Sequence, residues 1–496
     1  MTRMGRLIGV TVLGLLLAGV PTTSAPAADL PLVDAVKAGD VAAVQALIAQ
    51  GIDVNAAEAD GTTPLHWAAT GQETEIARLL LAAGAGVNVG NRYGVRPLSL
   101  ACADGNAPVI AALLDAGANP NTSRMEGETA LMTAARSGSV EAVKLLLDAG
   151  ADPNAREHWK GQTALMWAAA EGHAATIPTL VSHGADLSAR SNRGFTALLF
   201  AAREGQTDVV QTLLEAGADL DEQLSINSTL TAGGVEQRRA SNAGLNAFLL
   251  AAGSAHFELA AYLLDRGADP NSAPRGWTAL HQVTWVRKAG VAGTNNPAPR
   301  GSGTMTSLEF ARKLIAHGAD LNARVTKRPP AGITGLNFIG GTPFLLAART
   351  ADAAFMRLLA ELGANPHLTN EDRSTALMVA AGLGTSSPGE DPGTEADVIE
   401  AVQVALDLGL DIDAVDDKGE TAMHGAAYKH LPRVVALLAE AGADINVWHR
   451  KNARGATPLN IAVGMHRGMN ILSSPETATS IREIMLAAGV DPEQSQ

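Results

Sequence analysis

The chain has 496 residues, a net charge of −14 and only 3% aromatic residues, although 46% of its residues are hydrophobic. A single conventional core is disfavoured at this length, because globular cores stop growing near about 250–300 residues. The acidic balance also disfavours a nucleic-acid partner, since nucleic-acid-binding proteins normally carry a basic footprint. With so few aromatic residues, the core must be built mainly from Ala, Leu and Val.

The first residues predict an export signal. Arg3 and Arg6 precede an apolar run of 14 residues at 7–20, and Ala-Pro-Ala at 25–27 provides a small-residue cleavage site. The run is too short to span a bilayer, which needs about 20 residues. We therefore predict a signal peptide over residues 1–28 and a periplasmic or secreted protein with no stable membrane insertion after cleavage. A short retained anchor is the alternative.

A helix-pair pattern then recurs along the chain. Residues 61–69 read Gly-Thr-Thr-Pro-Leu-His-Trp-Ala-Ala, and an apolar helix and Gly-Ala-Gly-Val-Asn at 84–88 follow. Most copies are 32 to 36 residues apart, and the larger gaps of 50, 64 and 46 residues indicate insertions. The marker position of successive copies is occupied by Thr63, Arg96, Thr129, Thr163, Thr196, Asn246, Thr278, Thr342, Thr375, Thr421 and Thr457.

A 33-residue period with a Thr-Pro-Leu-His core resembles the ankyrin-repeat family. The resemblance covers essentially the whole mature chain. It implies an all-α solenoid of about twelve helix-turn-helix units, joined by finger hairpins or loops. Each unit would contact only its neighbours, which allows the array to exceed the size of one core.

The repeated residues give local instructions for this fold. Thr63 can cap the first helix of its unit, and Pro64 occupies a position where a missing N–H costs nothing. His66 can reach back to the cap. His281 and His424 hold the same position, and Met or Leu replaces them in other copies. We therefore predict packing and capping roles for these histidines and no metal site.

The predicted organisation is one solenoid over residues 29–496. It comprises an N-terminal cap unit at 29–60, regular repeats at 61–221, an insertion at 222–243, further repeats at 244–454, and a C-terminal cap unit with a tail at 455–496. The second group of repeats contains insertions at 288–305, 324–340 and 383–394. The first two belong to the unit that starts at Gly276 and are predicted to emerge at opposite ends of its helix pair. Long loops in a compact array have either a function or no fixed structure.

The family resemblance also implies a binding surface. Ankyrin proteins usually meet partners through a concave face made of finger tips and first helices. Trp67 and Trp167, by contrast, are predicted to be core. Further first-helix candidates are Arg349, Tyr428 and Lys429. Carried over residue by residue, the partner-binding candidates are Arg92, Tyr93, Arg124, Arg136, His158, Trp159, Lys160, Arg193, Phe195, Arg203, Trp277 and Trp448.

Between Arg92 and Glu204 this surface carries nine basic and six acidic residues, in a chain that is acidic as a whole. The surface is therefore predicted to dock an acidic or mixed-charge protein with aromatic anchors. The alternative is that the fingers merely expose what is tolerated.

The sequence contains no phosphate-binding loop, no nucleophile elbow and no metal-binding cluster. Cys102 is the single cysteine and takes the place of a small helix residue, so a buried structural role is predicted. We predict no cofactor, no metal and no catalytic residue, and hence a non-catalytic protein-binding scaffold. Two alternatives stay open. One is a periplasmic protector or inhibitor, immunity-like, or an accessory factor of an exported enzyme. The other is an enzyme whose site lies in the insertions of the unit at Gly276.

Overall fold

The computed structural model describes residues 30–71, 73–225, 243–288, 298–328, 335–389, 391–465 and 473–492. The predicted signal peptide lies outside these residues, as do 226–242, 289–297, 329–334 and 390 within the predicted insertions. The described residues form twelve consecutive helix pairs, numbered here as units 1 to 12. They contain no β-strand, only two isolated bridges. The predicted all-α ankyrin-type solenoid of about twelve units is confirmed.

Each unit consists of a first and a second helix. In units 1 to 6 these are Pro31–Lys37 and Val41–Ala49, Pro64–Thr70 and Thr74–Ala82, Pro97–Ala103 and Ala107–Asp115, Ala130–Ser137 and Val140–Asp148, Ala164–Glu171 and Ile177–Ser182, and Ala197–Glu204 and Thr207–Glu215. In units 7 to 12 they are Ala247–Gly253 and Phe257–Asp265, Ala279–Arg287 and Ser307–Ala316, Pro343–Arg349 and Ala353–Glu361, Ala376–Ala380 and Glu395–Asp407, Ala422–Tyr428 and Pro432–Glu440, and Pro458–Ala462 and Pro475–Ala487. A 3-10 turn, Ala174–Thr176, precedes the second helix of unit 5, and a short helix, Ile445–Trp448, lies between units 11 and 12.

The predicted capping residues lie at the start of the first helices. The backbone N–H of Thr278 donates to Nδ1 of His281 at 3.2 Å, and the ring is fully buried. Thr63 and His66 repeat the arrangement at 3.1 Å. In unit 4, Sδ of Met132 accepts the same N–H at 3.5 Å, which explains why Met replaces His. The capping role of these histidines is confirmed.

Small residues let the first helices stack along the whole array. The alanine pairs that follow the cap, such as Ala68 and Ala69, are completely buried between neighbouring units. One apolar cluster consequently runs from Leu32 in unit 1 to Met485 in unit 12. The second helices also stack, but those of units 6 and 7 and of units 8 and 9 approach each other less closely than the others.

An asparagine clip joins successive units. Nδ2 of Asn88 donates to Gly117 O at 3.0 Å, and Oδ1 of the same side chain accepts from the N–H of Asn119 at 2.9 Å. One side-chain amide therefore serves as both donor and acceptor. Among the described residues no such clip joins units 5 and 6 or units 6 and 7. Ser188 and Asp221 hold the clip position there: the hydroxyl of Ser188 donates to Asp186 within its own finger, and the carboxylate of Asp221 cannot donate. Complete clips are made by Asn55, Asn88, Asn121, Asn154 and Asn271.

The insertions of units 8 and 10 meet over the concave side of the array. The N–H of Gly335 donates to Gly384 O at 2.9 Å. Phe338, only 2% exposed, packs on the first helices of units 9 and 10 in a second apolar cluster that includes Leu346 and Val379. We call residues 335–340 and 383–393, apart from residue 390, the roof. The sequence did not predict that these two insertions would touch.

Candidate functional site

The concave side is open in units 2 to 6 and covered in units 8 to 11. In the open part, one first-helix position in each unit faces the groove, three or four residues after the cap. Trp67 and Trp167 hold this position and are half-buried, so the prediction that they are core is wrong. The physical reason is that neither insertion reaches these units. We call this row and the adjoining finger tips of units 2 to 6 the open face.

Along the first-helix row of the open face, a cation lies over an aromatic ring at three places. The Nζ of Lys37 is 4.2 Å from the ring centre of Trp67, and Arg136 is 4.9 Å from that of Trp167. Arg203 is 5.1 Å from the ring centre of Phe200. Such contacts are worth about 0.5–1 kcal/mol at exposed sites. They fix the orientation of long side chains that would otherwise lose conformational entropy when a partner binds.

Carboxylates neutralise these cations within the face. Arg136 lies 3.4 Å from Glu128, and Arg203 lies 2.6 Å from Glu204. Lys37 pairs with Glu58 at 2.6 Å, and this contact lowers the pKa of that carboxyl group. The basic excess counted in the sequence is therefore partly cancelled, and free positive charge lies mainly at the finger tips.

Three successive finger tips expose large apolar side chains. Tyr93 is 59% exposed, Met125 80% and Trp159 79%. The values for Met125 and Trp159 are the two highest among the large hydrophobic residues described. Cations accompany them, because Arg92 lies 5.5 Å from the ring of Tyr93 and Lys160 lies 5.0 Å from that of Trp159. We call these five residues the finger ridge. Large exposed apolar groups beside charge are typical of interaction sites.

The structure also places the other finger candidates. Arg193 is exposed, and so is His158, whose ring lies against Gly127. That glycine has a φ of +81°, and a Cβ there would come within 2.8 Å of the ring. Arg124 is half-buried and lies 3.8 Å from Glu128. These residues surround the ridge, and the structure brings them together with it.

Three predicted binding residues are buried, which corrects the sequence interpretation. Phe195 is 8% exposed, because its ring packs 5.0 Å from Phe200 beneath Arg203. Trp277 is 5% exposed, since the roof covers it. Trp448 is 1% exposed, because the finger between units 11 and 12 forms a helical turn that directs it inward.

Burial of the same first-helix region rises sharply in units 9 to 11. Arg349 is 4% exposed, Tyr428 5% and Lys429 5%, although sequence analysis placed all three on the binding surface. Arg349 and Lys429 are held by Asp391 and Pro392 of the roof, and Tyr428 is bonded to Glu420 and Asn452. Burial raises the pKa of Glu420, whose carboxylate accepts a hydrogen bond from Tyr428 at 2.7 Å. This half of the concave side therefore offers no surface to a large partner.

The chemistry of the described residues is limited. No group of three or more His, Cys, Asp or Glu side chains in them is arranged to hold a metal ion. None of their helices combines the length and the apolar character that crossing a membrane requires. Cys102 is fully buried in the first helix of unit 3, and burial raises the pKa of its thiol, so the predicted structural role is confirmed.

Comparisons with known proteins agree with this architecture. Sequence models described as ankyrin repeats (3 copies), ankyrin repeats (many copies) and ankyrin repeat match residues 13–91, 32–124, 83–157 and 131–223, residues 248–285, and residues 418–450. These matches cover more than half of the sequence, and the chain belongs to the ankyrin-repeat family. Ankyrin repeats are protein–protein interaction modules.

Individual relatives match over short stretches. The chain is 29% identical over 75 residues to ankyrin repeat domain-containing protein OPG023 of monkeypox virus, covering 15% of this chain and 11% of that protein. It is 29% identical over 75 residues to ankyrin repeat protein 14 of vaccinia virus (strain Western Reserve), covering 30% of that protein. The chain thus spans less than a third of these viral relatives. The solved ankyrin repeat domain of Bcl-3 is 31% identical, covers 40% of this chain and 90% of its own, and has a TM-score of 0.37.

Proposed function

We propose that this chain is a non-catalytic scaffold that binds a partner protein through the open face. The observation that carries the proposal is the finger ridge, where Tyr93, Met125 and Trp159 expose most of their apolar surface in three consecutive fingers. A standard interface buries about 800 Å² on each partner. Five adjacent units supply that area, while the roof restricts the rest of the groove.

The ridge also indicates the chemistry of the partner. Arg92, Lys160 and Arg193 lie at its exposed edge, and none of them forms an ion pair within the described residues. A partner that presents an apolar patch bordered by Asp or Glu would bury the ridge and satisfy these cations. The pairs deeper in the groove would contribute less, because their charges are already neutralised.

Partner capture from cells that produce the chain tests this proposal. A Trp159→Ala, Met125→Ser and Tyr93→Ser triple variant should lose at least about tenfold in capture, since truncated anchor residues typically cost 2 kcal/mol or more. A matched control is Leu486→Ser, which changes a 64% exposed apolar residue on the last helix, outside the open face. Both variants should melt like the natural chain. Equal capture by the triple variant would exclude the open face.

We further propose that the protein is exported to the periplasm or the medium. The support is the sequence of residues 1–28, with two arginines, an apolar run and a small-residue cleavage site. Cell fractionation and sequencing of the mature N-terminus test it. We expect a mature chain that starts close to residue 28. A cytoplasmic chain that retains its first residues would contradict export.

A further inference from the structure

A buried group of charges lies where the unit 10 part of the roof folds back on its neighbours. Nη2 of Arg349, at the end of the first helix of unit 9, donates to Oδ1 of Asp391 at 2.7 Å. Nζ of Lys429, just after the first helix of unit 11, donates to Pro392 O at 2.5 Å. Two cations from different units therefore hold consecutive residues of one loop. The side chains of Arg349 and Asp391 are only 4% and 9% exposed.

The hydrogen-bonding capacity of Arg349 is largely unused. Its Nε and Nη1 are buried and have no partner among the described residues, and neither does Oδ2 of Asp391. Thr385, in the same loop, likewise has a buried hydroxyl group that no described residue bonds. Buried polar groups are normally hydrogen-bonded, and a buried ionised group without partners is costly.

A second arginine in the same half of the array shows what a purely structural role looks like. Arg287 ends the first helix of unit 8, as Arg349 ends that of unit 9. All three of its guanidinium nitrogens are bonded: Nε and Nη2 donate to Asp352, and Nη1 donates to Ser307. Arg349 uses one nitrogen of three. Holding the loop therefore leaves two donors of Arg349 available to a ligand.

The charge balance points to an anion. Arg349 and Lys429 contribute two positive charges and Asp391 one negative charge. Burial and, to a smaller extent, Arg349 lower the pKa of Lys429 to about 8, although Asp391 and Asp397 oppose this shift. The ammonium group is therefore protonated at neutral pH, and the buried group carries one excess positive charge. Asp397 compensates little, because it already pairs with Lys288 at 3.5 Å.

We propose that Arg349 and Lys429 form a binding site for a small oxyanion, of the phosphate or carboxylate class. The unpartnered groups include two N–H donors on a guanidinium, which suits oxygen acceptors that carry negative charge. The ligand must be small, because the donors are almost completely buried beneath the loop and no macromolecular surface can reach them. The site lies in the covered half of the groove, so it does not depend on the function proposed for the open face.

Thermal melts of the full mature chain test this site, with inorganic phosphate and acetate as probes and sodium chloride at matched ionic strength. The midpoint of the natural chain should rise with probe concentration and saturate, as expected for a ligand that binds only the folded state. In Arg349→Gln, the apparent affinity should fall at least tenfold. The control Arg357→Gln changes a 54% exposed arginine of the same unit, paired with Glu400, and should respond like the natural chain. This comparison removes the general stabilisation that phosphate gives to any protein.

The pH dependence gives an independent test. Binding should weaken when the pH rises from about 7 to about 9, because Lys429 loses its proton across that range. Lys429→Arg keeps the charge at both pH values and should remove the dependence, as measured by calorimetric titration. A response to phosphate alone or to acetate alone assigns the anion class. Equal midpoints in phosphate, acetate and chloride, or an Arg349→Gln variant that responds like the natural chain, would overturn the proposal.

Discussion

Replacing the buried capping histidine of unit 8 with methionine should make the protein less sensitive to acid. In His281, Nδ1 accepts the N–H of Thr278, and Nε2 donates to Gly341 O at 3.3 Å. The first contact requires the neutral ring, because a protonated Nδ1 cannot accept the N–H of Thr278. The chain itself offers the replacement, because Sδ of Met378 accepts the equivalent N–H in unit 10 at 3.4 Å. We therefore expect His281→Met to fold normally.

The size of the effect follows from the pKa of the ring. Burial lowers the pKa of His281 from 6.5 to about 4, so the unfolded chain binds a proton that the folded chain does not. At about 1.4 kcal/mol per pH unit, this difference corresponds to a loss of about 3 kcal/mol. The stabilisation is complete above pH 6.5, declines as the pH falls, and is exhausted near pH 4. His424, whose pKa is also lowered to about 4, should behave in the same way.

Urea unfolding followed by circular dichroism measures this effect at several pH values between about 7.5 and 4. The free energy of unfolding of the natural chain should fall relative to that of His281→Met by about 3 kcal/mol over this range. His367→Met provides the control, because that histidine is exposed on a finger. If the natural chain and the His281 variant lose stability in parallel, the neutral buried ring is not the cause of acid sensitivity.

Three further results are expected. Cys102 should react with a thiol reagent at least about a hundredfold more slowly in the folded chain than in urea. The thiolate is the reactive form, and burial disfavours it. Rapid labelling of the folded chain would contradict this expectation. Phe338→Ala should cost about 3–5 kcal/mol in the attachment of the roof and shift tryptophan fluorescence to the red by exposing Trp277, which the roof buries. Unchanged emission would show that the roof does not rest on this ring. Asp352→Asn should lower the free energy of unfolding by about 3 kcal/mol, since it leaves Arg287 without its carboxylate, and a variant with unchanged urea stability would refute that reasoning.

The sequence predicted those parts of the fold that depend on local signals. Cap residues such as Thr63 and His66 act within one turn of helix, and helix-ending glycines act at one residue. Stacking follows because each unit exposes the same apolar side to the next. The period, the number of units and the capping histidines could therefore be obtained before any coordinates.

The candidate site was predicted less well, because exposure depends on distant segments. Trp159 lies four residues before its cap residue and is exposed, whereas Trp277 lies directly before Thr278 and is buried under the roof. The roof comes from two insertions without any periodic pattern. The burial of Arg349 could not be predicted for the same reason. Its partner Asp391 lies in a loop whose path the repeat does not determine. The one available indication that this loop packs against the first helices was a large apolar residue, Phe338, within a Gly- and Pro-rich insertion.

The distribution of asparagine clips has a consequence for how the array comes apart. Units 1 to 5 are fastened pairwise through Asn55, Asn88, Asn121 and Asn154, while among the described residues of the later units only the junction of units 7 and 8 has a complete clip. Heat or a pulling force should therefore separate the units beyond unit 5 before it disturbs the first five units. Those five units carry the finger ridge, so the surface offered to a partner would keep its structure while the later units separate.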